Sequence, residues 1–89
     1  MSASIFIIQT GMNYEGANSL TVATTTREAA EAIAAEVQAL IDANDEYHRK
    51  DIAGEEMDGE KWYSHWEGSD GSTLIVDQWV SITEVPIIG

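Results

Sequence analysis

The two histidines are the residues best suited to acid–base chemistry at neutral pH, because imidazole titrates in that range. His48 stands among charges in EYHRK, as at a solvated helix end, and His65 stands beside Trp66 in a predicted strand. A nucleophilic triad would need a hydroxyl, a histidine and a carboxylate, but the chain has no G-x-S-x-G motif. Glycine-rich phosphate-binding patterns are also absent from the sequence. We therefore expect neither an enzyme nor a cofactor.

Carboxylates are the other chemically capable groups, and calcium binding is the first function to consider for them. Asp42, Asn44 and Glu46 imitate the opening of an EF-hand loop. That loop also requires Gly at its sixth position and Glu at its twelfth. Tyr47 and Ala53 occupy those positions. We therefore predict no specific metal site.

Net charge is the strongest global feature of the chain. Sixteen Asp and Glu against four Lys and Arg give a formal net charge of −12. Such a field repels nucleic acid and anionic lipid and attracts basic protein surfaces. Four basic residues cannot form a phosphate-binding groove. We expect no direct nucleic-acid binding and no membrane association, but a basic protein partner.

The 89 residues fit one compact domain, residues 1–89. The chain has no cysteine, so no disulfide stabilises it. Its first residues have no basic region before their short apolar run, and no stretch approaches the roughly 20 apolar residues of a membrane span. These features predict a cytoplasmic protein.

The first half of the chain reads as two strands and a helix. Ser4–Thr10 is rich in β-branched residues, and the alternation around Leu20 and Val22 indicates a second strand. A capping box formed by Thr25 and Glu28 would start the helix, and apolar residues at helical spacing follow. We predict a helix from about residue 26 to about residue 44, with a possible extension to residue 47.

The second half reads as an acidic loop and two strands. Residues 42–60 hold half of the acidic residues, and we predict a frayed helix end followed by a mobile loop at about residues 45–60. Lys61–Glu67 alternates as a strand, and the Asp70-Gly71 pair indicates a hairpin turn. The last predicted strand is Thr73–Val85, with Pro86 ending the pairing or marking an edge.

These elements predict an α+β fold: a two-layer ββαββ sandwich in which one helix packs on one face of a four-stranded antiparallel sheet. One amphipathic helix covers one face, so the other is wet, self-associated or used for binding. We expect at least two of the three tryptophans to fill the core. Tyr14, Tyr63 and Trp79 are the candidate aromatic anchors of a binding surface, because Trp and Tyr are favoured there. The acidic candidates are Asp45, Glu46, Asp51, Glu55, Glu56, Asp58 and Glu60.

In size, acidity and ββαββ layout, the whole chain resembles the small acidic proteins with which phages and mobile elements disable host defences, including anti-CRISPR and anti-restriction proteins. Members of that group commonly occupy a basic nucleic-acid channel or block recruitment of an effector nuclease. The resemblance implies that the acidic residues of 42–60 imitate phosphates and meet Lys and Arg on a CRISPR effector or another nucleic-acid-binding enzyme in the host cytoplasm.

The leading hypothesis is therefore a stoichiometric inhibitor of a basic, nucleic-acid-handling protein. An immunity protein or antitoxin that masks a basic toxin would use the same residues. A structural or accessory protein that self-associates, for example as a homodimer through the open sheet face or an edge strand, is the alternative from another class.

Overall fold

The computed structural model describes residues 3–52, 54 and 62–88. Its elements follow the order ββαβββ. They are β1 (Ala3–Met12), β2 (Gly16–Thr24), α1 (Arg27–Ile52), β3 (His65–Glu67), β4 (Thr73–Ile75) and β5 (Trp79–Ile87). No helix within the described residues is long and apolar enough to cross a bilayer.

Strands β2, β1 and β5 form the main antiparallel sheet in that order, with the first strand in the centre. Ile8 of β1 lies opposite Val22 on one side and Ile82 on the other. This register turns Phe6, Ile8, Val22 and Ile82 toward α1, because alternate residues of a strand share a face. The α+β class and the single helix packed on one sheet face are thus confirmed.

The predicted last strand, Thr73–Val85, is in fact two strands. Val76 donates its amide to the carbonyl of Ser64, whereas Gln78 donates to the carbonyl of Gly11. The chain therefore leaves one pairing partner and joins another within three residues. The main sheet consequently has three strands, and β3 and β4 form a separate two-stranded hairpin. Its turn closes through a hydrogen bond from Gly68 N to Ser72 O, as the Asp70-Gly71 pair predicts.

The core lies between α1, the sheet and this hairpin. The helix contributes Ala30, Val37 and Ile41, all at most 2% exposed, on the stripe that the helical spacing predicts. The strands and the hairpin supply the remaining buried apolar residues: Phe6, Ile8, Trp66, Leu74 and Val76. Trp66 is the one tryptophan in this core, so the expectation of at least two was wrong.

The helix begins one residue later than the predicted capping box requires. The hydroxyl of Thr26, not of Thr25, accepts a hydrogen bond from the amide of Ala29 at 3.2 Å. Thr26 is therefore the N-cap, and the third residue of the helix that follows it is Ala29. Glu28 falls one position too early to complete the box, although its charge still suits the first helical turn.

The helix also continues well beyond Asn44, so the loop predicted from about residue 45 was wrong for residues 45–52. Asn44 is only 4% exposed, and its side-chain amide pairs with the main chain of Tyr63. A buried, hydrogen-bonded Asn removes the reason to end the helix there. One turn on, Tyr47 packs against Trp62. Residues 53 and 55–61, the rest of the predicted acidic loop, lie outside the described residues.

The sheet face turned away from α1 carries no charged side chain among the described strand residues. Its members follow from the register of β1 with its two neighbours. We call this surface the open sheet face and define it as Ile5, Ile7, Gln9, Thr21, Ala23, Trp79, Ser81, Thr83, Val85 and Ile87.

Candidate functional site

A cleft of about 260 Å³ opens beside the C-terminal half of α1, on the helix side of the sheet. It lies where four parts of the chain meet: the helix, the end of β1, the segment just before β3, and the link between β4 and β5. Its lining residues are Met12, Asn44, Asp45, His48, Trp62, Val76, Asp77 and Gln78. We call it the acidic cleft, because its described lining residues include two carboxylates and, as their one basic group, an imidazole.

The link between β4 and β5 is held firmly against the β1–β2 hairpin. The Asn13 amide donates to Oε1 of Gln78 at 2.7 Å. Asn18 donates from Nδ2 to Oδ2 of Asp77 at 3.3 Å and to the buried hydroxyl oxygen of Thr10 at 3.1 Å. The Asp77 carboxylate is therefore held at the cleft by Asn18 of β2, which precedes it by 59 residues of chain.

The aromatic wall of the cleft is Trp62. Its side chain is 58% exposed, which is unusual for so large an apolar group. Tyr47 meets it edge-on, with ring centroids 6.0 Å apart and an interplanar angle of 70°. This T-shaped contact is favourable for aromatic rings and restrains Trp62 without covering it. An exposed but restrained tryptophan loses little conformational entropy when a ligand covers it.

The chemistry of the acidic cleft favours a cation on a long, partly apolar stem. Carboxylates of Asp45 and Asp77 attract positive charge, and the face of an indole ring attracts it as well. Lysine and arginine side chains have this combination of charged head and apolar stem. Within the described residues, no cluster of His, Asp and Glu has the arrangement to hold a metal ion.

Two of the predicted acidic residues, Asp45 and Glu46, lie side by side on α1, and both are exposed. Asp45 lines the acidic cleft, whereas Glu46 is not among its lining residues. Asp51 is helical, but the orientation of its side chain is outside what the structure describes. Glu55, Glu56, Asp58 and Glu60 lie outside the described residues altogether.

The three predicted aromatic anchors occupy different places near one end of the molecule. Tyr14 is 99% exposed at the tip of the β1–β2 turn, next to Asn13, which holds Gln78 of the cleft. Tyr63 is 38% exposed and follows Trp62. Trp79 is half-buried on the open sheet face, where its ring lies over Gly11. The structure does not gather them into one cluster.

The two histidines also lie apart. His48 lines the acidic cleft, on the helical turn after Asn44. His65 is exposed on β3, where its Nδ1 lies 3.0 Å from the hydroxyl oxygen of Ser64. Asp70, in the β3–β4 turn, accepts a hydrogen bond from the Ser72 amide at 3.0 Å, and this bond lowers the pKa of its carboxyl below the usual 3.8.

Sequence reasoning missed Trp62, Asp77 and His48 as members of one site. It placed Asp77 inside one continuous strand, Thr73–Val85. The polar pair Asp77-Gln78 inside an otherwise apolar run was the available signal that the strand breaks there. Comparison with known proteins finds no matching family model, no significantly similar curated protein and no significantly similar solved structure.

Proposed function

We propose that this protein is a stoichiometric binder that blocks a basic, nucleic-acid-handling protein, in the manner of the anti-CRISPR class of phage proteins. The observation that carries the proposal is the acidic cleft, in which an exposed tryptophan stands beside two carboxylates. A Lys or Arg of the partner would enter the cleft and stack on Trp62, with Asp45 and Asp77 as its counter-charges.

The charge distribution supports binding to a basic surface around the cleft. Beyond Asp45, the exposed surface of α1 carries Asp42 and Glu46 near the cleft, and Glu28 and Glu31 at the far end of the helix. The net charge of −12 steers a basic partner toward the chain and speeds association. Desolvation of Trp62 in the complex would slow dissociation. The same net charge opposes nucleic acid as the ligand, so the proposal concerns the protein that handles it.

The first experiment is a pull-down from host-cell lysate with the tagged protein at low and high salt, with mass spectrometry of the retained proteins. We expect the tagged protein to retain a basic nucleic-acid-binding protein at low salt and to release it at high salt. Recovery of a basic toxin would instead identify an immunity protein or antitoxin. A retained set without any basic protein would contradict the proposal.

The second experiment tests the cleft itself, with the recovered partner and matched variants. Asp45→Asn and Glu31→Gln each remove one negative charge from an exposed site on α1, so both change the long-range field equally. We expect Asp45→Asn to raise Kd about fivefold, as loss of about 1 kcal/mol implies, and Glu31→Gln to change it much less. Equal effects would show that only net charge matters.

Trp62→Ala tests the aromatic wall. Truncation of an interface tryptophan typically costs about 2 kcal/mol or more, which corresponds to about a 30-fold rise in Kd. The loss should appear mainly in the dissociation rate, because the charge that steers association is unchanged. Tyr14→Ala is the control for an exposed aromatic outside the cleft. An unchanged dissociation rate for Trp62→Ala would exclude the cleft as the contact.

A further inference from the structure

We infer that two copies of this chain associate through the open sheet face, as a two-fold symmetric homodimer. The inference is independent of the proposed function, since the open sheet face and the acidic cleft lie on opposite sides of the sheet. The chain has a net charge of −12, yet the described strand residues of the open sheet face carry no charge at all.

The composition of this face suits burial against another sheet. The β1–β5 register places Ile5 opposite Val85 and Ile7 opposite Thr83. These pairs form an apolar and β-branched strip along the central and edge strands, and it is only partly buried within one copy. Branched side chains on a sheet face interdigitate well with those of a second sheet about 10 Å away.

Charge selects a second copy as the occupant. A basic partner gains nothing from a face without carboxylates and is attracted to the helix side. Two copies of this acidic chain repel each other least when their uncharged faces meet, because the charged groups are then farthest apart. In a face-to-face dimer the two acidic helices lie on the outer sides, about 30 Å apart for layers spaced about 10 Å. That separation exceeds the Debye length of about 8 Å at physiological salt.

The edges of the sheet are less suited to self-association than its face. Pro86 lies in β5, an edge strand, opposite Ser4. Proline has no amide hydrogen and so interrupts the row of donors that a second edge strand would need. Strand β2, at the other edge, lies beside β4. The face is therefore the surface through which copies of the chain meet.

The area of the face sets the strength of the dimer. Strands of 9 or 10 residues in a three-stranded sheet cover about 30 Å by about 14 Å. Two such faces bury roughly 800 Å² of flat surface, and more when the side chains interdigitate, near the lower limit of about 1,000 Å² for a specific interface. We therefore expect a reversible dimer whose population depends on protein concentration.

Sedimentation velocity over a range of protein concentrations, at about 0.05 M and about 0.5 M salt, tests the dimer. The mass should rise from 9.7 kDa toward twice that value as concentration increases. The dimer fraction should be larger at high salt, because salt screens the repulsion between like-charged copies. Binding to a basic partner has the opposite salt dependence, so the two associations are distinguishable. A monomer under all these conditions would overturn the inference.

The matched variants are Thr83→Lys on the open sheet face and Ala35→Lys on an exposed position of α1. Each adds one positive charge and lowers the net repulsion equally. Thr83→Lys should raise the dimer dissociation constant at least about tenfold, because dimerisation would bury an unpaired ammonium. Ala35→Lys should leave the constant unchanged or lower. Ala23→Lys, opposite Ile7, provides a second face variant if the first does not fold. Equal dimerisation of face and helix variants would refute the interface.

Discussion

The side-chain amide of Asn44 pairs with both main-chain groups of Tyr63. Nδ2 donates to the carbonyl oxygen at 2.8 Å, and Oδ1 accepts from the amide nitrogen at 2.9 Å. The Asn44 side chain thus makes the two main-chain hydrogen bonds that Tyr63 would otherwise make with a neighbouring strand. The pair joins α1 to the chain just before β3 and so holds the adjacent Trp62 in the wall of the acidic cleft.

The first prediction concerns this pair. Asn44→Ala should lower the free energy of unfolding by about 2–4 kcal/mol, because two main-chain groups lose their partner and a small void is left. Urea denaturation measures the change. Asp45→Ala, on an exposed neighbouring position, is the control and should change stability by no more than about 0.5 kcal/mol. An Asn44 variant as stable as that control would show that water replaces the amide without cost.

The second prediction identifies the N-cap of α1. Thr26→Ala removes the hydroxyl that accepts from Ala29 and should lower the free energy of unfolding by about 1 kcal/mol. Thr25→Ala removes the same group one residue earlier, where no helix amide depends on it, and should have a much smaller effect. Chemical denaturation of the two variants compares them directly. A larger loss of stability for Thr25→Ala than for Thr26→Ala would instead identify Thr25 as the N-cap, as the capping box predicted from the sequence requires.

The third prediction concerns Gly11, which is buried beneath Trp79. A Cβ at this position would collide with the carbonyl oxygen of Gly16 and the indole ring of Trp79. The backbone oxygen cannot move away as a flexible side chain would, so Gly11→Ala should lower the free energy of unfolding by about 1–3 kcal/mol.

The double variant Gly11→Ala with Trp79→Ala separates the two collisions. This variant has no ring for the new Cβ to meet, but the collision with the Gly16 oxygen remains. Gly11→Ala should therefore cost less stability in the Trp79→Ala protein than in the native protein, but still some. Thermal unfolding of the four proteins gives the coupling between the two positions. Full additivity would mean that the ring does not press on the glycine.

The fourth prediction is the pH dependence of the β3–β4 turn. The Ser72 amide lowers the pKa of the Asp70 carboxyl in the folded protein relative to the unfolded chain. The resulting stabilisation is present above the unfolded pKa near 3.8 and is lost as pH falls through the lower, folded pKa. NMR titration of the carboxyl should give a midpoint below 3.8.

Asp70→Asn is the control for this effect, since it keeps an oxygen acceptor but cannot titrate. Its stability relative to the native protein should be lower at neutral pH and equal at a pH below the folded pKa of Asp70. A constant difference between the two proteins across this range would assign the effect to geometry instead of charge.

Local patterns in the sequence predict much of this fold. The β-branched run of β1, the apolar stripe of α1 and the Asp70-Gly71 turn each depend on neighbours within a few residues, and each forms as expected. The α+β class follows from these elements, because one helix and several strands have few ways to bury their apolar faces.

The features that sequence reasoning missed depend on distant partners. Asn44 stays inside the helix because it meets Tyr63, 19 residues away. Asp77 leaves the strand pattern because it meets Asn18, 59 residues away. Neither partner is visible in the local pattern, and Asn44 and Asp77 both line the acidic cleft. The candidate site was therefore less predictable than the fold that carries it.

The pairing of β1 with β5 has a consequence for synthesis and for protein engineering. Ala3 lies opposite Ile87, so the central strand of the sheet obtains one of its two neighbours only when the last strand has left the ribosome. Such non-local pairing raises the contact order and slows folding. It also places Ala3 and Ile87 within about 5 Å of each other. A circular permutant in which a short linker joins Ile87 to Ala3, with new ends placed after Gly54, should therefore still fold.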